Sequence, residues 1–233
     1  MEYTGGSTRS SLAFVSAALG LEFHAVFSDA FSKSKQLTME AFGAEVIVEK
    51  SFWKGTPPEL IQRMKKRASE LSQEENFFYA YQFGSPDATK GYEPMGNEIT
   101  KQLGDKIDIL CASVGTGGAI MGAWKGLRKA IPKIELVAFE PLQSPLLTTG
   151  KGGAHQVEGI GVGFEPPFLD LSVLKGIRAI DQEKGFAMCR QLAHEEGVFC
   201  GSSRGLNVVG AIELAEELGP GKKVVTFACD SGM

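Results

Sequence analysis

Short, almost wholly apolar β-rich runs alternate with amphipathic helical runs along the chain, and this alternation constrains the fold more than any other feature. Strands are expected at Glu22–Phe27, Glu45–Glu49, Phe77–Ala80, Ile107–Ala112, Ile134–Phe139, Gly176–Ile180 and Lys223–Ala228. Helices are expected at Ser10–Leu19, Lys33–Phe42, Pro58–Ser72, Gly118–Ala130, Gln182–Glu195 and Asn207–Leu218. A strand that is apolar at nearly every position buries both faces, as parallel strands covered by helices do. The strand–helix–strand repetition therefore predicts an α/β fold with parallel sheets and helices on both faces. Gly20, Gly43, Gly104 and Gly219 each follow a helical run, where a left-handed cap favours glycine.

Two stretches break the rhythm. Gln82–Tyr92 (QFGSPDATKGY) is polar and carries glycine and proline, as a domain crossing would. It predicts a smaller α/β domain over residues 1–83 and a larger one over residues 84–233. Gly150–Pro167 is glycine-dense and too long for a routine connection, and ordered loops of that length are often functional.

Composition narrows the partners. A chain of 233 residues can hold one large or two small domains. Its net charge of -4 supplies no basic field for nucleic acid. No apolar run reaches the roughly 18 residues a membrane span needs. The start, MEYTGGSTR, has neither the basic nor the apolar region of a secretory signal. Cys111, Cys189, Cys200 and Cys229 are widely spaced, mostly within apolar segments, which suits buried thiols better than a disulfide framework or a zinc site. A cytoplasm or an organelle matrix is the expected setting.

The sharpest local motif is SVGTGGA, Ser113 to Ala119, placed between a strand and a helix. Glycines there let backbone N–H groups approach an anion, and the helix N-terminus adds a favourable dipole. The Thr116 hydroxyl is a further donor to a phosphate oxygen. A tight turn with no ligand is the plain alternative. A dinucleotide site is another, since Glu140 ends the next strand where a ribose-binding acid could sit. However, Ile120 stands where G-x-G-x-x-G requires its third glycine, and no Lys-Ser/Thr pair follows as in a P-loop. A monophosphate fits the spacing best. TGGST, Thr4 to Thr8, and CGSSRG, Cys200 to Gly205, also sit at helix starts; each alone reads as an ordinary cap. Together, three such entrances mark the strands' carboxyl ends, where ligands bind open parallel sheets.

The order TGGST…QFGSP…SVGTGGA…VEGIGVGF…GVFCGSSRG…CDSGM resembles the cysteine synthase group of fold-type-II (tryptophan synthase beta-like) pyridoxal-phosphate enzymes, from Met1 to Met233. The resemblance implies two α/β domains with a cofactor cleft between them, a homodimer, and an amino-acid substrate. The implied chemistry is β-replacement or β-elimination on an activated serine such as O-acetylserine, with sulfide as acceptor. It matches Gly115, Thr116, Gly117, Gly118 and Ala119 to the loop that binds the cofactor phosphate, with Ala119 where a second threonine is common. Thr4, Gly5, Gly6, Ser7 and Thr8 match the T-S-G-N-T loop that grips the substrate carboxylate. Within it, Ser7 replaces the asparagine that contacts the cofactor's phenolic oxygen. Gln82 matches the glutamine that completes carboxylate binding, Ser203 the serine at the pyridine nitrogen, and Gly159 to Phe164 the glycine-rich segment near the cofactor.

The same resemblance places the Schiff-base lysine in a segment similar to S-x-K-D-R, ahead of the carboxylate loop. No lysine of this sequence matches it; Lys33, Lys35 and Lys90 read as solvated surface. The expectation is thus a chain truncated at both ends relative to the family, with no catalytic residue of its own. The alternative is a non-catalytic relative that binds a phosphate, an amino acid or a partner subunit. Arg9 and Arg204 stand where small residues are usual and are expected to reach solvent; turned inward, they would bind a further anion or block the cleft. His24 reads as a satisfied strand residue, His155 as a loop-surface residue and His194 as helix surface.

Overall fold

The computed structural model describes residues 1–3, 8–52 and 58–230, and the chain divides into two compact units, Met1–Ser85 and Pro86–Met233. In the first, strands β1 (Glu2–Tyr3), β2 (His24–Ser28) and β3 (Glu45–Glu49) form a parallel sheet in the order β1-β2-β3. Tyr3 pairs with Val26, and Val26 with Ile47. Because successive side chains on a strand point to opposite faces, β2 sends Ala25 and Phe27 to one side and Val26 to the other. Helices α1 (Thr8–Leu19) and α2 (Lys33–Ala41) cover the first side through Ala13 and Met39. Helix α3 (Pro58–Leu71) covers the second with Leu60, Met64 and Ala68, a stripe at four-residue spacing that is completely buried.

The second unit begins with α4 (Asp87–Lys90) and α5 (Glu93–Leu103). Strand β4 (Ile109–Ser113), helix α6 (Gly118–Arg128), strand β5 (Glu135–Pro141), the short α7 (Leu146–Thr149) and strand β6 (Gly176–Ile180) follow. Helices α8 (Gln182–Glu196) and α9 (Ser202–Leu218) then lead to β7 (Val224–Val225). All four strands are parallel, in the order β6-β5-β4-β7. Alternation again splits the strands between two cores. Leu110, Ala112, Leu136 and Ala138 pack with Ile120, Trp124 and Leu127 of α6, whereas Cys111, Val137 and Phe139 pack with Leu206, Val209 and Leu214 of α9. Leu110 and Leu136 are fully buried, and each such side chain contributes about 1.5–3 kcal/mol. The expected class, parallel α/β with helices on both faces, is the observed one.

Three expectations about elements change. Phe77–Ala80 is not a strand: it lies along β1 with only Ala80 N–H donating to Met1 O (3.0 Å) and the Met1 amine donating to Phe78 O (2.5 Å). Its partner strand is two residues long, too short to build a ladder. Helix α9 starts at Ser202 rather than Asn207, because Gly201 is already its extended N-cap; this puts Ser203 in the first turn of a helix and not in a loop. Strand β7 is confined to Val224–Val225, shorter than the apolar run Lys223–Ala228. No described helix is long and apolar enough to cross a membrane.

Candidate functional site

The glycine loop is built where β4 stops and α6 begins. Gly117 is the N-cap of α6 and holds φ +85°, a left-handed conformation that costs an L side chain about 1–2 kcal/mol. Three other segments press on the loop. A Cβ at Gly115 would meet Gly159 O at 2.5 Å, one at Gly117 would meet Leu169 N at 2.8 Å, and one at Gly118 would meet Ala88 O at 2.9 Å. The backbone is pinned as well: Phe168 N–H donates to Thr116 O (3.2 Å) and Gly161 N–H to Val114 O (3.1 Å). Among the described residues, nothing accepts from the amides of Gly115, Thr116, Gly117, Ala119 or Ile120. Gly118 N–H donates to Thr116 Oγ1 at 3.2 Å, which leaves the Thr116 hydroxyl proton free to point outward. A pinned, glycine-rich loop with unpaired amides at a helix N-terminus is suited to one phosphate group.

Glu140 is not placed for a ribose. Its carboxylate accepts from Leu147 N (2.7 Å), Thr148 N (2.9 Å) and Thr148 Oγ1 (2.6 Å), capping α7, and it is 4% exposed.

Ser203 lies on α9, and that helix is tied to the glycine loop by a residue the motifs did not reveal. Asn207 is completely buried; its Oδ1 accepts from Ser113 N–H at 2.7 Å, and its Nδ2 donates to Phe227 O at 3.1 Å. One amide thus locks β4, α9 and the segment after β7 together. A lone amide within the apolar run GLNVVG was the available signal. Ser203 is 7% exposed and makes no side-chain hydrogen bond to another described residue. Ser202 Oγ accepts from Glu158 N–H at 3.2 Å, which joins the glycine-rich segment to the start of α9. Within that segment His155 is half-buried rather than on the surface, with Nε2 3.0 Å from Gly161 O.

Of the carboxylate-loop residues, Thr4, Gly5, Gly6 and Ser7 lie outside the described residues; Thr8 opens α1. Gln82 is described and sits close to β1, its Nε2 donating to Tyr3 O at 3.1 Å. Glu2, unremarked in the sequence, is completely buried beside it and accepts from Tyr3 N at 3.0 Å and Gln82 N at 2.9 Å. Burial raises its carboxyl to about 7, against the hydrogen bonds from Gln82 and Tyr3; the Met1 amine and the phenols of Tyr3, Tyr79 and Tyr81 are its titratable neighbours. The folded protein therefore holds this proton more tightly than the unfolded chain. Glu2's contribution to stability is full below its ordinary value and lost as pH rises through about 7. Urea titrations should show wild type losing about 3 kcal/mol relative to Glu2→Gln between pH 4 and 8; parallel curves would refute this.

Both arginines depart from the solvent expectation. Arg9 is completely buried, its guanidinium 4.4 Å from the Phe27 ring centroid and 5.3 Å from that of Phe31. Desolvation lowers it to about 9. The faces of Phe27 on β2 and Phe31 in the adjoining loop seat the cation. Arg204 is half-buried and donates to the Asp230 carbonyl, while Asp230 Oδ1 accepts from Gly201 N at 3.2 Å. Its Nε is buried with no hydrogen-bond partner among the described residues. Lys33 and Lys90 are exposed, and Lys35 is half-buried.

Similarity to known proteins supplies the family. The sequence model for pyridoxal-phosphate-dependent enzymes matches residues 1–230. The chain belongs to this family. A cysteine synthase of Staphylococcus aureus is 37% identical over 235 residues, covering 100% of this chain and 74% of the relative. Among solved structures, a hydrogen sulfide-producing enzyme of Fusobacterium nucleatum superposes with a TM-score of 0.90 at 30% identity, covering 99% of this chain and 76% of that one. An O-acetylserine-dependent cystathionine beta-synthase of Helicobacter pylori gives 0.85 at 34% identity, covering 99% and 74%. The family's cofactor is pyridoxal phosphate, a monophosphate, and the cradle at Gly115–Ala119 fits a group of that size and charge. The fold-type-II resemblance is upheld by these neighbours.

The apolar pocket of β4 also defines a thiol. Burial pushes Cys111 up to about 12, so its reactive thiolate is scarce at neutral pH. Native protein at pH 8 should leave Cys111 unalkylated by iodoacetamide over an hour, whereas urea-unfolded protein should react there. Mass spectrometry showing equal labelling would contradict the buried placement.

Proposed function

We propose that this chain carries the cofactor cradle and the substrate-carboxylate elements of a cysteine-synthase-like enzyme. In this reading it acts on an activated serine such as O-acetylserine, with sulfide as acceptor, and as a homodimer. The observation that carries the reading is the pinned loop at Gly115–Ala119, with its free amides and the Thr116 hydroxyl. The likeness to the S. aureus cysteine synthase and to the O-acetylserine-dependent H. pylori enzyme favours the same substrate class.

When bound, pyridoxal phosphate draws electron density from the substrate's α-carbon. The chain's residues then have separable tasks. The Thr116 hydroxyl and the amides of Gly115, Thr116, Gly117 and Ala119 hold the phosphate, while Gly118 N–H braces the Thr116 side chain. Ser203 would meet the pyridine nitrogen with a neutral hydroxyl, which, unlike a carboxylate, would not hold that nitrogen protonated and would favour loss of a β-substituent. Gln82 spends one Nε2 hydrogen on Tyr3 O, and its second is available to a substrate carboxylate. Thr4, Gly5, Gly6, Ser7 and Thr8 complete that grip at the N-terminus of α1. None of the lysines in residues 1–233 takes the role of covalent anchor.

Titration of the chain with pyridoxal phosphate, followed by absorbance and by competition with inorganic phosphate, tests the reading. Thr116→Ala should weaken binding about 10–100-fold, the worth of one charge-assisted hydrogen bond. Borohydride reduction and mass spectrometry should find no single stoichiometric lysine adduct. Saturable NADH binding displaced by neither phosphate nor the cofactor would sink the proposal, and a stoichiometric adduct at one lysine would sink its anchor clause.

A further inference from the structure

We propose that Glu2 is a positioning residue for the amino-acid substrate: its buried carboxylate clamps the main chain at Gln82 to the strand that feeds the carboxylate loop. The inference rests on the reading of Gln82 given above. Two segments far apart in sequence are joined here by two hydrogen bonds, and a third braces the carboxylate within its own strand. One Glu2 oxygen takes the amide of Tyr3 at 3.0 Å, the other takes that of Gln82 at 2.9 Å, and Gln82 Nε2 returns to Tyr3 O at 3.1 Å. The exchange is reciprocal, so neither segment can shift without breaking a bond in a buried place.

The surrounding turn leaves Gln82 little other freedom. Tyr81 before it sits at φ +47°, unusual for a residue with a side chain. The amides of Gly84 and Ser85 both donate back to Tyr81 O, at 2.9 and 2.8 Å. The Tyr81 ring lies where a Cβ of Gly84 would be, 2.0 Å from that point. Such a conformation persists only when its neighbours over-determine it. Glu2 supplies the buried share of that restraint from the opposite strand.

A neutral residue would hold this core more cheaply. Burying a carboxyl on main-chain amides with no cationic side chain beside it is unfavourable once it ionises, and the burial is what lifts its proton affinity. An acceptor on both oxygens is what a carboxylate offers and an amide side chain does not. The acid is therefore retained at a stability cost for the two-point grip, and that gives the test its sign.

Glu2→Gln keeps shape and volume but can accept on one atom only. In the cofactor-loaded full chain at pH 8, calorimetric titration with L-serine and with O-acetyl-L-serine should show at least tenfold weaker amino-acid binding. Affinity for pyridoxal phosphate should change less than twofold, the urea midpoint should not fall, and backbone hydrogen exchange at Gln82 should speed up at least tenfold. Glu2→Asp, which retains both oxygens on a shorter arm, should recover part of the Gln82 protection. If Glu2→Gln lowers the midpoint and cofactor affinity together with substrate affinity, Glu2 is a general core residue and the proposal fails. Unchanged Gln82 exchange overturns it as well. Gln82→Ala separates the two claims: if it leaves amino-acid binding intact, the role of Gln82 itself is wrong; if it abolishes binding while Glu2→Gln does not weaken it, the clamp alone is wrong. Should the wild-type chain bind neither amino acid, the reading of the site fails, and the exchange rate at Gln82 still decides the clamp.

Discussion

Gly117→Ala is expected to leave the secondary structure intact and lower pyridoxal-phosphate affinity by two to three orders of magnitude. Two costs add at this position. The left-handed φ of +85° strains any side chain, by about 1–2 kcal/mol. The new Cβ would also lie 2.8 Å from Leu169 N and 3.2 Å from Leu169 Cα. Those are main-chain atoms that cannot turn aside, and such overpacking costs about 1–3 kcal/mol. The cheapest relief is a change of φ at residue 117, which rotates the amides of the loop away from a common centre. Cofactor titration paired with circular dichroism checks this. A variant that binds pyridoxal phosphate as tightly as wild type would show that the amides at Gly115–Ala119 do not hold the phosphate.

Asn207→Leu is expected to lose about 2–4 kcal/mol of stability, because one buried and one partly buried main-chain group are orphaned, at about 1–3 kcal/mol for a fully buried one. Ser113 N–H and Phe227 C=O have the Asn207 amide as their bridge, and the leucine supplies neither an acceptor nor a donor. The loss is a large share of the roughly 5–15 kcal/mol that holds a domain folded. Asn207→Asp keeps the acceptor for Ser113 but loses the donor for Phe227 and buries a charge, so it should be impaired to a similar degree. Urea unfolding followed at Trp124, buried on α6, measures both variants. A change of less than 1 kcal/mol in Asn207→Leu would mean that water or a shifted backbone satisfies both groups. Since Ser113 immediately precedes the glycine loop, cofactor affinity should decline with stability here, in contrast to Thr116→Ala.

These two residues differ in how they could be read from the chain. Gly117 was visible because glycine spacing between a strand and a helix is a local pattern with a local cause. The same is true of the alternating apolar runs that became β2, β3, β4, β5 and β6, and of the left-handed glycines at 20, 43, 104 and 219. Motif order along the chain carried the family, since it depends on sequence separation alone. Asn207, Glu2 and Arg9 depend on something else. Asn207 matters because the order β6-β5-β4-β7 brings Ser113 and Phe227 to the same helix. Glu2 matters because residue 82 returns to β1 across 80 positions of chain. Arg9 turned inward because two phenylalanines, 18 and 22 residues further on, present their faces to it.

The sequence by itself therefore determined the parallel α/β class and the cofactor family, and singled out the glycine loop proposed as the phosphate cradle, through periodicity, glycine geometry and motif order. Only the tertiary structure decided which buried polar groups hold that cradle and its neighbouring loop in place. The physical reason is that a buried hydrogen bond must be matched by a partner in space, and the partner's address is set by strand order and chain return, which no local pattern encodes.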